Sequence, residues 1–360
     1  PPKTIPNAAA FKILSAQKPR NLYLASLKHL RDSQLFLQSA DLKGSEYSVT
    51  FTQNTHISYP RSVGRVVRIL DQITPDSVDT FKITNLNAEM TMFTTEIDRA
   101  KFKKYDQFKM HSALLQSTPI YKGSTEEYES QEFQPPTNLP LFLSKISPAV
   151  RSQIGGPDGF YFGDASIALH GQLLLKQNLS ILAVGSIGVA NNFDRLKLLS
   201  DSVLPHVRSD IVKYLKQSTK GHITRLQANY FINPRDSIFF KFTGGILEEM
   251  FAGIGSEFLW RPFAKNYAVG VEAWRVAQRD YDMLFSLRDY KTTTGFINLY
   301  YKEPRSKVRI KVTGGKFLAG DSGIHLDLNR RFKSGLTVGV FAAKTDISKL
   351  EFGEGSFDKG

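Results

Sequence analysis

Between Gly163 and Asp346 the chain repeats one unit: a run of roughly ten residues that alternates apolar with polar, a turn, then another such run. Val308, Ile310 and Val312 alternate with Arg309, Lys311 and Thr313. Ile324, Leu326 and Leu328 alternate with His325, Asp327 and Asn329, and Leu336, Val338 and Val340 with Thr337, Gly339 and Phe341. Successive side chains of a strand point to opposite faces, so each run has one apolar side and one mostly polar side. A closed transmembrane barrel turns the apolar side to lipid. A soluble sandwich turns it to a second sheet, and periodicity alone does not choose between the two.

A helical membrane protein is excluded, because no apolar run reaches the roughly 18 residues a spanning helix needs; the longest, 179–190, is interrupted by Gly and Ser. At 360 residues, 41% hydrophobic and 12% aromatic, the chain is long enough for two units with real cores. With no cysteine, disulfides, thiolate metal sites and cysteine nucleophiles drop out. The chain opens at Pro1-Pro2 without an apolar leader, as expected of a processed or partial sequence. A net charge of +13 points to an anionic partner or to a solubilising surface, and the position of the charges decides which.

Residues 20–110 have a different rhythm. Leu24, Leu27 and Leu30 fit a helix, 35–40 and 46–53 read as strands, Val63, Val66, Val67, Leu70 and Ile73 fall at helical spacing, and 78–86 and 90–97 return to strand character. This is a small α+β domain with an internal duplication, assigned to 1–117. On its second helix Arg61, Arg65 and Arg68 follow i, i+4, i+7 spacing, a basic stripe that is either a solvated face or a contact for an acidic chain or partner protein. The proline-rich stretch 118–164 reads as a linker, its glycines at 155, 156 and 159 making a turn rather than a phosphate cradle because no helix follows.

Strands are expected near 165–175, 179–190, 222–231, 237–247, 253–261, 267–278, 293–302, 307–317, 322–332 and 336–346, so that 165–360 forms an antiparallel barrel left incomplete in this chain. Short turns such as 233–236 contrast with longer connections at 196–219 and 279–291, and 204–215 has enough helical spacing to fold over or into the lumen. Tyr161, Phe193, Tyr230, Phe231, Trp260, Phe263, Tyr267, Tyr300, Tyr301 and Phe332 fall near strand ends, where a bilayer would place an aromatic girdle. The alternation that sends Val308 and Ile310 outward sends Arg225, Lys241, Arg309, Lys311, His325 and Arg331 to the lumen, in company with Glu257, Glu272 and Asp327. Such a lining suits either an acidic polymer or an internal salt-bridge network.

The stretches LPHVRSDIVKYL (204–215), GGILEEMFAGIGSEFLWRPF (244–263), FLAGDSGIHLDLNRRFKSG (317–335) and FGEGSFDKG (352–360), with ISYPRSVGRVVRIL (57–70) and SPAVRSQIGGPDGFYF (147–162), resemble the YjbH and GfcD family of bacterial outer-membrane proteins. The resemblance spans most of the chain from about residue 20. It implies a large outer-membrane barrel with periplasmic α/β domains, associated with secretion of an exopolysaccharide or capsule polysaccharide. Family members are usually longer, so further strands or a second chain would complete the barrel. The partners implied are outer-membrane lipid, a polysaccharide and other envelope export proteins, not nucleic acid.

No enzymatic role is expected: there is no HExxH, no GxSxG, and no carboxylate pair that sequence alone places across a cleft. His325 and Asp327 share a strand face as a polar pair rather than a metal site, and no cofactor is implied. The alternative is a carbohydrate-binding β-sandwich with an adaptor domain in the cell envelope.

Overall fold

The computed structural model describes residues 4–53, 59–107, 130–136, 139–154, 159–196, 204–332, 334–348 and 357–359. The chain divides into two compact units, with the main boundary between residues 138 and 139. It is mainly β, with a small helical-plus-sheet region at its N-terminal end.

The first unit consists of α1 (Ala8–Gln17), α2 (Pro19–Arg31), β1 (Leu35–Lys43), β2 (Glu46–Gln53), α3 (Tyr59–Ile73), β3 (Thr80–Asn87), β4 (Met90–Asp98) and α4 (Arg99–Gln107). A helix followed by a hairpin occurs twice, and the two hairpins join into one sheet ordered β1-β2-β3-β4 through a parallel β2–β3 pair. Apolar residues at helical spacing on α3, Val63, Val66, Val67, Leu70 and Ile73, are fully enclosed. They share the core with Leu22 and Leu30 of α2 and with Tyr47, Val49, Phe51, Phe81, Ile83 and Phe93 of the sheet. Phe133 bridges to Ala40 of β1, and its ring stacks on Tyr23.

The second unit is one antiparallel sheet of 12 strands in chain order. Its members are β5 (Leu141–Ile154), β6 (Tyr161–Lys176), β7 (Leu179–Asn191), β8 (His222–Arg235), β9 (Ile238–Ile246), β10 (Phe251–Trp260), β11 (Tyr267–Arg279) and β12 (Leu287–Lys302), followed by β13 (Arg309–Lys316), β14 (Ser322–Arg331), β15 (Thr337–Thr345) and β16 (Phe357–Lys359). The register lines apolar side chains into rows that cross the sheet, one of them Ile238–Trp260–Val269–Leu299–Val312–Leu326–Ala342. The row of opposite parity reads Lys241–Glu257–Glu272–Phe296–Gly315–Gly323–Thr345. Two chemically distinct faces follow directly from the period of two.

The apolar face is left open. Ile146, Ile187, Ile254, Ile297, Ile324 and Val340 are each more than half exposed, where a sandwich would bury them. Among the described residues no second layer of the kind a sandwich requires covers them. Of the apolar side chains on the alternating runs, Ile310, Ile324, Leu326, Val338 and Val340 share this face by register. Val308 precedes β13 and is half-buried.

Two other readings are corrected. The stretch read as a linker, 118–164, contains β5 and the start of β6, so the sheet begins at Leu141 rather than at 165. Pro148 disguised β5, but an edge strand tolerates a residue without an N–H. The connection read as 279–291 is shorter, because β12 already begins at Leu287. The glycine-rich turn at 155–158 and most of the FGEGSFDKG stretch lie outside the described residues.

The strand bounds define two rims. One carries the connections 177–178, 236–237, 261–266, 303–308 and 332–336; the other carries 247–250, 280–286, 317–321 and the long segment 192–221. Leu141 pairs with Leu174 beside the 177–178 turn, so the chain enters the sheet on the short-turn rim. No helix among the described residues is long and apolar enough to cross a membrane.

Candidate functional site on the polar face of the sheet

The inner, polar face is floored at the long-loop rim by the segment 204–221, which contains α5 (Ile211–Leu215). The helical spacing noted in 204–215 is real but brief, and burial rather than helix length fixes it. Tyr214 is fully enclosed with Met250, Phe251, Val276 and Met283, and Leu215 packs with Phe162, Phe193 and Leu196. Tyr214 Oη donates to the carbonyl of Arg279 at 2.5 Å. Arg279, itself buried, spreads its guanidinium over the carbonyls of Glu248, Glu249, Met283 and Leu284.

Ion pairs add to this. Arg208 reaches Glu248 of the 247–250 turn at 2.7 Å, and Lys213 reaches Asp210 within the segment at 2.8 Å. Burial pushes the Asp210 carboxyl up, but hydrogen bonds from Lys213 and from Tyr281 Oη outweigh it and hold Asp210 below the usual carboxylate range.

Beneath this segment lies a cavity of about 900 Å³. Its wall draws Arg225 and Gln227 from β8, Lys241 and Thr243 from β9, Glu257 from β10, Trp274 from β11, Thr294 and Phe296 from β12, and Ala343 and Thr345 from β15, with Arg208 and its neighbours above. For side chains from β8 and from β15 to line one space, the sheet must curl strongly. Glycine permits this on the inner face: a Cβ at Gly253 would stand 2.2 Å from the carbonyl oxygen of Arg275, and one at Gly245, which also has a φ of +128°, 2.3 Å from that of Leu226.

Polar side chains on the strands around the cavity are tied to one another. Lys241 Nζ donates to Glu257 at 2.7 Å; Asn229 accepts from Gln227 at 2.9 Å and from Thr243 at 3.0 Å. Glu272 accepts from Trp274 Nε1 at 3.0 Å and from Asn298 at 2.8 Å, and Thr313 donates to Asn298 at 2.7 Å. Burial raises the carboxyl of Asp321, at the cavity edge, above its usual range.

Of the six lumen candidates, Arg225 and Lys241 line the cavity. Arg309, Lys311, His325 and Arg331 share the inner face by register but are not among the cavity-lining residues. Lys311 lies opposite Asp327 and over the ring of Tyr300, and His325 stacks on Phe341 at 5.6 Å. Asp327 accepts from Asn329, and no cluster of metal-ligating side chains exists among the described residues. Arg61, Arg65 and Arg68 sit on α3 in the first unit, Arg61 exposed, Arg68 hydrogen-bonded to Gly64 and over Phe102.

Trp274, Thr294, Phe296 and Arg208 escaped the sequence reading. Counting in twos from Glu272 reaches Trp274, and Gly255, two before Glu257, marks the space its ring occupies. Arg208 had no comparable signal, because it enters the site from a loop.

Residues 3–360 match the family model described as "Exopolysaccharide biosynthesis protein YbjH". A curated relative from Escherichia coli (strain K12), "Uncharacterized lipoprotein YjbH", is 33% identical over 335 residues, which is 88% of this chain and 46% of the relative. The chain thus spans about half the length of the curated relative it matches.

Proposed function

Because the chain belongs to the YjbH family of exopolysaccharide biosynthesis proteins, we propose that its 12-stranded sheet is part of an outer-membrane β-barrel that assists an exopolysaccharide or capsule polysaccharide across the bacterial outer membrane. The observation that carries this reading is the two-faced sheet, with exposed apolar rows on one side and a linked polar wall on the other. In water, open rows of Ile, Leu and Val would be an aggregation hazard; in a bilayer they meet hydrocarbon.

Further features support it. Tyr230, Trp260, Tyr267 and Tyr301 stand exposed toward the short-turn rim, as interfacial aromatics do. The tight turns 177–178 and 236–237 lie on one rim and the long segment 192–221 on the other, which suits the outer-membrane plan, in which the short turns are periplasmic. Since the chain enters the sheet on that rim, residues 1–138 are assigned to the periplasm, where the α3 arginines would meet the polymer or another export protein. The relative's name, a lipoprotein, is in keeping with the cell envelope.

The polymer would follow the inner face past Arg225 and Lys241 and then along Lys311, Arg309 and Arg331. Weak, repeated hydrogen-bonding sites suit passage better than one tight site. The role assigns no catalytic residue; the adjacent carboxylates Glu248 and Glu249 are ion-paired to Arg208 and Arg151.

Fractionation of cells expressing the full-length protein tests the reading. The protein is expected in the outer membrane, extractable only with detergent and heat-modifiable in its migration. Ile324→Arg places a charge on the apolar face at a cost of about 2–4 kcal/mol near midplane and should sharply reduce the assembled fraction. Recovery of the wild type in the soluble periplasmic fraction would defeat it.

A further inference from the structure

Trp274 is held in a way that packing alone does not require. A Cβ on Gly255 would stand 2.0, 2.3 and 2.6 Å from Cε3, Cδ2 and Cζ3 of the indole, so the ring lies across a position that only glycine leaves clear. Its Nε1 donates to Glu272, whose other oxygen accepts from Asn298, so the ring's orientation is set at its polar edge as well. Phe296 and Phe317, edge to face at 5.1 Å, complete an aromatic wall of the same cavity. Lys241 and Glu257 line that cavity as an ion pair.

A sugar ring presents an apolar C–H face rimmed by hydroxyls, each of which both donates and accepts. A fixed aromatic plane meets the first requirement, and an adjacent ammonium and carboxylate meet the second. Charge does not favour an acidic ligand at this point: of the cavity's charged side chains Lys241 is paired with Glu257 and Arg208 with Glu248, Arg225 and Asp321 add one of each sign, and Glu257 would repel a uronate or phosphate directly. A volume of about 900 Å³ lies within the range of small-molecule sites and admits a few sugar rings, not a folded chain.

We infer that this cavity is a binding site for a short stretch of uncharged hexopyranose polymer, Trp274 taking the C–H face of one ring and the Lys241–Glu257 pair its hydroxyls. The inference rests on the export reading and narrows its substrate class.

The test is calorimetric titration of the full-length protein, folded in detergent, with maltohexaose, cellohexaose and an oligogalacturonate, alongside Trp274→Leu and Glu257→Gln. Heat-modifiable migration checks that each variant is folded. Saturable binding of a neutral oligosaccharide is expected, weakened roughly tenfold or more by Trp274→Leu and measurably by Glu257→Gln, with oligogalacturonate bound more weakly than either neutral ligand. Absence of saturable binding by both neutral ligands, tighter binding of the oligogalacturonate, or full affinity in both folded variants would overturn the assignment. A protein that fractionates with the outer membrane yet binds no sugar sinks this site alone; one that never reaches the membrane sinks the export reading with it.

Discussion

Two buried arginines, one in each unit, do similar work. Arg99, at the start of α4, gives Nε to Asp71 at 2.7 Å and its other nitrogens to the carbonyls of Asp71, Thr74, Pro75 and Val78, closing the end of α3 onto the sheet. Arg279 does the same for the carbonyls where the 280–286 loop and the 247–250 turn meet at the long-loop rim. A planar fork with five donors satisfies carbonyls that water cannot reach. Removing it leaves those acceptors buried and unpaired at about 1–3 kcal/mol per group. Arg279→Met should therefore destabilise the 12-stranded unit by at least about 3 kcal/mol, read as a lower temperature for loss of heat-modifiable migration. Arg279→Lys, with one charged centre, should rescue little of it. A midpoint unchanged in Arg279→Met would remove the arginine from this account.

Elements were legible where one physical rule governed them. From β6 onward the strands follow the period of two, and helices α2 and α3 follow their apolar stripes. Strand β5 was hidden by Pro140 and Pro148, which read as linker chemistry because its position at an edge is not written locally. Only part of the cavity wall was legible: alternation found Arg225, Lys241 and Glu257, but the contribution of 204–209 depends on a fold-back of some thirty residues that no local pattern encodes.

That fold-back has its own pH dependence. The Asp210 carboxyl is depressed in the folded protein, so its contribution is present above the ordinary carboxylate pKa and is lost as pH falls through the lower folded value. Acidification should thus loosen 204–221 from the wall, read as faster amide exchange in that segment than in β10 and β11. Lys213→Met, which removes one of the two hydrogen bonds holding Asp210 charged, should move the loosening to higher pH. Exchange in the segment that is insensitive to both would contradict this role for Asp210.

At the scale of the whole molecule, the two units follow different rules. The first buries the apolar stripe of α3 against its own sheet and α2, so residues 1–138 expressed alone should give a monodisperse, cooperatively melting protein. A molten or disordered product would show that it depends on the rest. The second unit leaves its apolar rows open among the described residues, and the proposed function turns those rows to lipid. Absence of native cysteine in the chain makes a direct measurement clean. Single cysteines at Ile254, Ile324 and Val340 on one face, and at Lys241, Thr313 and His325 on the other, can be spin-labelled in the membrane-inserted protein. The first three are expected to collide with oxygen and to be shielded from a water-soluble nickel chelate, whereas the second three show the reverse, so that accessibility alternates between neighbouring positions 324 and 325. Equal chelate access on both faces would contradict it.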